Sequence, residues 1–205
     1  MRASDPIDPL LPPEFPAGLR AACRVRAVSQ GERIFRAGAA ADAVFRVIEG
    51  EAQLLRAGPD GSEIVLQRAR PGEYFAEASL FSDRYHCDAR CAASGRLLVL
   101  PAEALRRALA REPAFATAWV HTLSRALRDA RARCERLSLR RAGDRIVHFL
   151  ANTSGKEIEL GQPLNAWARE LGLTQEALYR ALARLERAGI LARRGRRLRL
   201  RGPRR

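Results

Sequence analysis

The spacing of apolar residues changes character near Pro101. Between Cys23 and Pro101 they gather in short runs, Ala43 to Ile48, Glu51 to Leu55, Ile64 to Ala69 and Arg96 to Leu100. Gly31, Gly38, Gly50, Pro59-Asp60-Gly61, Pro71-Gly72 and Gly95 cut these runs apart. Short β-type runs bounded by turn residues predict a closed antiparallel sandwich or jelly roll, preceded by an irregular Pro-rich segment to about Pro16. Beyond Pro101 the pattern turns helical. Ala102 to Ala110 reads as a short helix, and Glu112-Pro113 opens a run free of Gly and Pro until Gly143. Proline suits the first turn of a helix. Phe115, Trp119, Leu123, Ala126, Ala130, Cys134 and Leu137 recur at spacings of three and four, a stripe that has to be covered. It can pack on its own β domain, or pair with its twin in a parallel coiled coil. The second reading predicts a homodimer with Trp119, Leu123, Ala126, Ala130 and Cys134 at the interface.

Arg145 to Ala151 reads as a further helix, Thr153-Ser154-Gly155 as a linker and Lys156 to Leu160 as a short strand. The segment from Leu164 to Leu191 then places Trp167, Ala168 and Leu171 on one face of a helix. Gly172 permits the positive φ of a tight turn, and Thr174 can cap a second helix. In that helix Leu178, Ala181, Leu182 and Leu185 share one face, while Gln175, Glu176, Tyr179, Arg180 and Arg184 share the other. This is a helix-turn-helix layout, whose second helix enters the major groove. Arg180 suits guanine O6 and N7, Glu176 suits the cytosine amino group, and Gln175 suits adenine or a phosphate. The competing reading is an amphipathic hairpin with a solvated Glu176–Arg180 pair. Ile190 to Ala192 and Arg197 to Leu200 flank Arg194-Gly195 as a basic β-hairpin, a wing. Thr174, Tyr179, Arg184, Arg193, Arg194, Arg196 and Arg197 are the candidate contacts to the DNA backbone, with Arg199 and Arg201 adding charge. Gly202 to Arg205 reads as a disordered tail.

Charge strengthens this picture. The 205 residues carry 37 basic and 23 acidic side chains, a net of +14. From Leu139 to Arg205 there are 16 basic and 6 acidic residues, so +10 of the excess lies there and +4 elsewhere. A basic C-terminal third predicts a polyanion partner. Lys156 is the only lysine, so arginine-rich coding contributes as well. Cys23, Cys87, Cys91 and Cys134, with His86, His121 and His148, lack the paired spacing of a metal or disulfide framework, and no metal or cofactor is expected. A cupin-type enzyme needs two or three histidines inside the barrel, where only His86 is available. The sequence therefore reads as a non-enzyme. No apolar run reaches the roughly 18 residues of a membrane span, and Met1 to Arg20 is unlike a signal peptide. A cytoplasmic protein without membrane contact is expected.

A β-rich domain, a long helix and a C-terminal winged helix-turn-helix together resemble the bacterial transcription regulators related to the cyclic-AMP receptor protein and Fnr. The resemblance runs from Cys23 over nearly the whole chain. Its motifs include Gly31-Glu32, Gly38, Asp42-Ala43-Val44-Phe45, Gly50, Gly72-Glu73-Tyr74-Phe75-Ala76-Glu77-Ala78-Ser79-Leu80-Phe81, and Thr174-Gln175-Glu176-Ala177-Leu178-Tyr179-Arg180. The last is similar to the family's Ser-Arg-Glu-x-x-x-Arg, with Gln175 in place of an arginine. The resemblance implies sequence-specific binding, as a dimer, to a near-palindromic promoter site, acting by contact with RNA polymerase or by occlusion. It also implies an effector pocket at Glu77, Ala78, Cys87 and Asp88. In cyclic-nucleotide-binding members a glutamate like Glu77 holds the ribose, and an Arg-Ser/Thr pair ten residues on clamps the phosphate. Here that pair is Cys87-Asp88, and a carboxylate opposes an anion, so dependence on cyclic AMP is not expected. Cyclic-nucleotide response through Arg84 and Arg90, or haem or redox sensing through His86, Cys87 and Cys91, is the alternative. The fold expected is α+β: a β-roll at residues 1–111, a dimerisation helix at 112–138 and a winged helix-turn-helix at 139–205.

Overall fold

The computed structural model describes residues 8–59, 61, 63–153, 157–160 and 163–201. The chain divides into two compact units between Thr122 and Leu123, inside the long helix rather than at either of its ends.

In the first unit a short helix α1 (Ala17–Ala22) leads into β1 (Arg24–Val28), β2 (Arg33–Phe35), β3 (Ala43–Ala57), β4 (Glu63–Ala69), β5 (Tyr74–Phe75) and β6 (Asp88–Pro101). Every pairing is antiparallel, in the order β1-β6-β3-β4, with β2 also on β6 and β5 on β3. The expected β-roll is present, but with longer strands than the sequence suggests. Ala43 to Ile48 and Glu51 to Leu55 are one strand, because Gly50 makes a bulge and not a turn. Its φ is +82, and a Cβ there would collide with the Ala93 carbonyl oxygen across the pair. Register shifts around Glu49 and Glu51 let β3 and β6 bend at this point.

Inward-facing Phe35, Phe45, Phe75 and Tyr85 stack at the centre of the roll. A second apolar cluster lies on the other face of the sheet. There Leu11, Phe15 and Leu19 meet Leu98, Leu100, and Leu105 of α2 (Ala102–Arg111). Phe115 and Trp119, from the first turns of α3 (Pro113–Ser138), complete that cluster. Trp119 is 5% exposed and meets Tyr74 edge-on at 5.1 Å. This corrects its assignment to a dimer seam, since a side chain used up in its own core has no surface left for a partner.

The second unit holds the rest of α3, then α4 (Ala142–Ala151), β7 (Glu157–Glu159), α5 (Leu164–Glu170), α6 (Gln175–Arg187), β8 (Leu191–Arg194) and β9 (Arg197–Leu200). The three strands form one sheet in the order β7-β9-β8. Ile146, Trp167, Leu171, Leu178, Leu182, Leu191 and Leu198 are its buried centre. The short strand expected from Lys156 is β7. Lys156, the linker residues Ser154 and Gly155, Asp60 of the expected turn, the start of the Pro-rich segment and the tail after Arg201 lie outside the described residues.

Candidate nucleic-acid interface

The helix-turn-helix forms from local chemistry. Gly172 has a φ of +65, which lets the chain reverse between α5 and α6. The Thr174 Oγ1 accepts from the Ala177 backbone N–H at 3.1 Å and starts α6. Leu178, Ala181, Leu182 and Leu185 are buried, so the opposite face must point outward. On it an open concavity is lined by Thr174, Gln175, Glu176, Tyr179 and Arg180. All three expected base readers, Gln175, Glu176 and Arg180, therefore share one surface with Thr174 and Tyr179. Arg184 is exposed one turn further along. Among the described residues Glu176 and Arg180 form no ion pair with each other, which leaves both polar ends available. Glu176 also sits in the first turn, where a carboxylate complements the helix dipole.

The wing is a two-residue hairpin. Gly195, at a φ of +60, provides the positive φ that such tight connections favour. Its arginines differ in freedom. Arg193 is half-buried and reaches Glu186 at 3.4 Å, and Arg197 pairs with Glu159 at 3.1 Å. Arg194, Arg196, Arg199 and Arg201 are exposed.

In the first unit the four expected pocket residues do not form one polar cradle. Ala78 is exposed, while Cys87 is buried in the apolar core of the roll. Asp88 accepts from the Ala37 N–H at 2.7 Å. Arg90 makes a forked pair with Glu63 at 3.0 and 2.6 Å, and Arg84 donates to the Gly38 carbonyl. Glu77 keeps one buried oxygen without a hydrogen-bond partner, and burial holds its carboxyl above the usual range. Tyr85 fixes the neighbouring loop by donating to the Ala43 carbonyl at 2.8 Å, and burial pushes its phenol up to about 12. Burial likewise pushes up the thiols of Cys87, Cys91 and Cys23, the last to about 11. Raised thiols react slowly, because the thiolate is the reactive form. His86 bonds Ser79 through Nδ1 at 2.9 Å. Among the described residues no three of His, Cys, Asp and Glu come close enough to hold a metal ion.

Along α3 the second unit exposes Leu123, Leu127, Ala130, Cys134 and Leu137. They follow one another by four, three, four and three residues, a coiled-coil repeat. Leu127, 50% exposed, escapes a reading that starts the stripe at Phe115 and Trp119. It becomes visible once those two are assigned to the core. Ala126 is exposed beside this row. Arg145 is the other residue that sequence reasoning passes over. It looks like one more surface charge, but its guanidinium donates to four backbone carbonyls.

Residues 25–112 match the cyclic nucleotide-binding domain family. The transcriptional activator protein FnrA of Stutzerimonas stutzeri is 25% identical over 186 residues, covering 86% of this chain and 76% of that protein. The cyclic AMP receptor protein of Thermus thermophilus is 29% identical over 171 residues, covering 81% and 78%. The solved structure of FixK2 from Bradyrhizobium japonicum matches with a TM-score of 0.72 at 22% identity, covering 88% of this chain and 93% of that one.

Proposed function

We propose that this chain, a DNA-binding transcription regulator of the Crp/Fnr type with a cyclic nucleotide-binding domain at residues 25–112, works as a symmetric dimer on a near-palindromic promoter site and needs no cyclic AMP to do so. Each protomer lays α6 in the major groove. Arg180 reads a guanine, Glu176 the amino group of a cytosine, and Gln175 an adenine edge or a phosphate. Thr174, Tyr179, Arg184 and the wing arginines unpaired among the described residues, Arg194 and Arg196, hold the backbone. The exposed row Leu123, Leu127, Ala130, Cys134 and Leu137 joins the protomers, with Ala126 at its flank. Bound at a promoter, the dimer acts through RNA polymerase contact or by occlusion, as a binding protein and not a catalyst.

The observation that carries this reading is the convergence of Thr174, Gln175, Glu176, Tyr179 and Arg180 on one exposed concavity at the start of a helix whose other face is wholly buried. Independence of cyclic AMP is supported by the Cys87-Asp88 pair, which offers a carboxylate where an anion would sit, and by the engagement of Arg84 with the Gly38 carbonyl and of Arg90 with Glu63. In vitro selection of duplex DNA by the purified protein, without added nucleotide, tests both parts. An enriched motif with two related halves is expected. Enrichment that appears only when cyclic AMP is added would refute the independence, and no enrichment in either condition would refute the recognition scheme.

A further inference from the structure

The last turn of α3 and the turn of the helix-turn-helix meet at one side chain. Arg145 Nε donates to the Leu139 carbonyl at 2.8 Å, and Nη2 to that of Leu137 at 3.1 Å. Its Nη1 donates to the carbonyls of Leu171 at 3.1 Å and Gly172 at 2.9 Å. The first pair of acceptors belongs to the end of α3, and the second to the turn that precedes α6. Carbonyls at helix ends lack intrahelical donors and carry the negative end of the helix dipole, so a guanidinium is well suited to bind two such ends together. Its planar fork is also rigid, which a lysine ammonium is not.

The packing around this contact is tight. A Cβ on Gly172 would lie 2.9 Å from Leu137 Cδ2 and 3.1 Å from Arg145 Nη1. Leu137 thus lies on the turn itself, and Thr174, the cap of α6, is two residues beyond Gly172. Two further contacts fasten the same helix end to α4: His148 Nε2 reaches Glu135 at 3.2 Å, and the Arg136 guanidinium lies 5.1 Å from the centre of the Phe149 ring.

We propose that Arg145 is a positioning residue. It fixes the direction of α6 relative to the exposed row of α3, and so sets the half-site spacing that the dimer accepts. The inference rests on the dimeric reading above. A rigid dimer reaches two half-sites only when their centres lie about one helical turn apart, near 10 to 10.5 base pairs, or a multiple of it. Each added base pair rotates and displaces one half-site against the other. A stiff joint makes the protein sensitive to such steps, and a loose one makes it tolerant.

The test measures binding of the full chain to duplexes that carry identical selected half-sites with the spacer varied in single base pairs, and to a duplex with one half-site. The unaltered protein should show a sharp optimum, losing about tenfold or more one base pair to either side. In Arg145→Gln that loss should shrink to less than about threefold, with the single half-site bound within about threefold of the unaltered protein. Arg145→Lys, which keeps the charge but not the fork, should fall between. Gly172→Ala disturbs the same joint from the other side and should also flatten the profile, which keeps the test open if an Arg145 variant fails to fold. A folded, dimeric variant whose affinity drops equally at every spacing overturns the proposal, as does an unchanged profile. If the unaltered protein binds no duplex, the dimeric DNA-binding reading falls and the positioning role with it.

Discussion

Replacing Arg194 and Arg196 together by alanine separates the free arginines of the wing from the paired ones. Both are exposed and flank the tip of the β8–β9 hairpin, whereas Arg197 is engaged by Glu159 at 3.1 Å. If each free arginine neutralises one phosphate, a dimer loses four such contacts in the double variant. At about 0.9 per phosphate, the slope of log affinity against log salt becomes shallower by about 3.6. Between about 50 and 200 mM salt the unaltered protein would then lose roughly 150-fold more affinity than the variant. Fluorescence anisotropy of a labelled duplex across that salt range measures both slopes. Because phosphates carry no sequence information, the loss should be similar on the selected site and on unrelated duplex. Removing Arg197 and Glu159 together takes away one charge of each sign and should alter the slope by less than about 1. An unchanged slope in the Arg194 and Arg196 double variant, or an equal change in the Arg197 and Glu159 variant, would refute this division of roles.

Three other perturbations address separate links. Charge at Leu123 and Ala130, as in Leu123→Glu with Ala130→Glu, should split the dimer in sedimentation while the monomer stays folded. Trp119→Ala should instead cost about 3 to 5 kcal/mol of stability in the first unit, measured by denaturant unfolding, because that side chain fills its own core. Glu77→Gln should stabilise the protein at neutral pH by about 1 to 3 kcal/mol, because burial disfavours the ionised carboxylate and one of its oxygens lacks a partner. The sign follows from linkage: burial raises the folded-state pKa, so the native form holds its proton to higher pH than the unfolded chain does. The gain should be full above the folded pKa and vanish as the pH falls below the ordinary carboxylate value near 4.5; a gain that persists in acid would contradict the cause given.

The parts of this molecule legible in the sequence are those set by local rules. Thr174, Gly172 and the buried spacing of Leu178, Ala181, Leu182 and Leu185 delimit the helix-turn-helix before any tertiary contact is considered. Gly195 does the same for the wing. Sequence pattern misleads where one residue type serves two backbone roles. Gly50 looked like a turn because a glycine between apolar runs usually is one, yet the long-range β3–β6 pairing makes it a bulge. The helical stripe on α3 failed for a related reason. A period near 3.6 gives the apolar positions but not which of them face the protein's own core, and Trp119 went to the sheet while Leu127 stayed outside. Arg145 carried no signal at all, since its acceptors are backbone carbonyls from segments 6 to 27 residues away. The departure at Cys87 and Asp88 was legible, but the intramolecular partners of Asp88, Arg84 and Arg90 were not.

Central to the whole account is the placement of α6 against base edges in the major groove, with Arg180 on guanine. Dimethyl sulfate attacks guanine N7, one of the two atoms that an arginine fork covers there. Footprinting of the selected duplex should show one guanine protected by the unaltered protein in each half-site. At a concentration of Arg180→Ala high enough to saturate the site, that same guanine should become reactive again, while protection of the flanking backbone from hydroxyl-radical cleavage, measured in parallel, persists. Equal protection of the guanine by both proteins, or no protected guanine under the unaltered protein, would contradict the account.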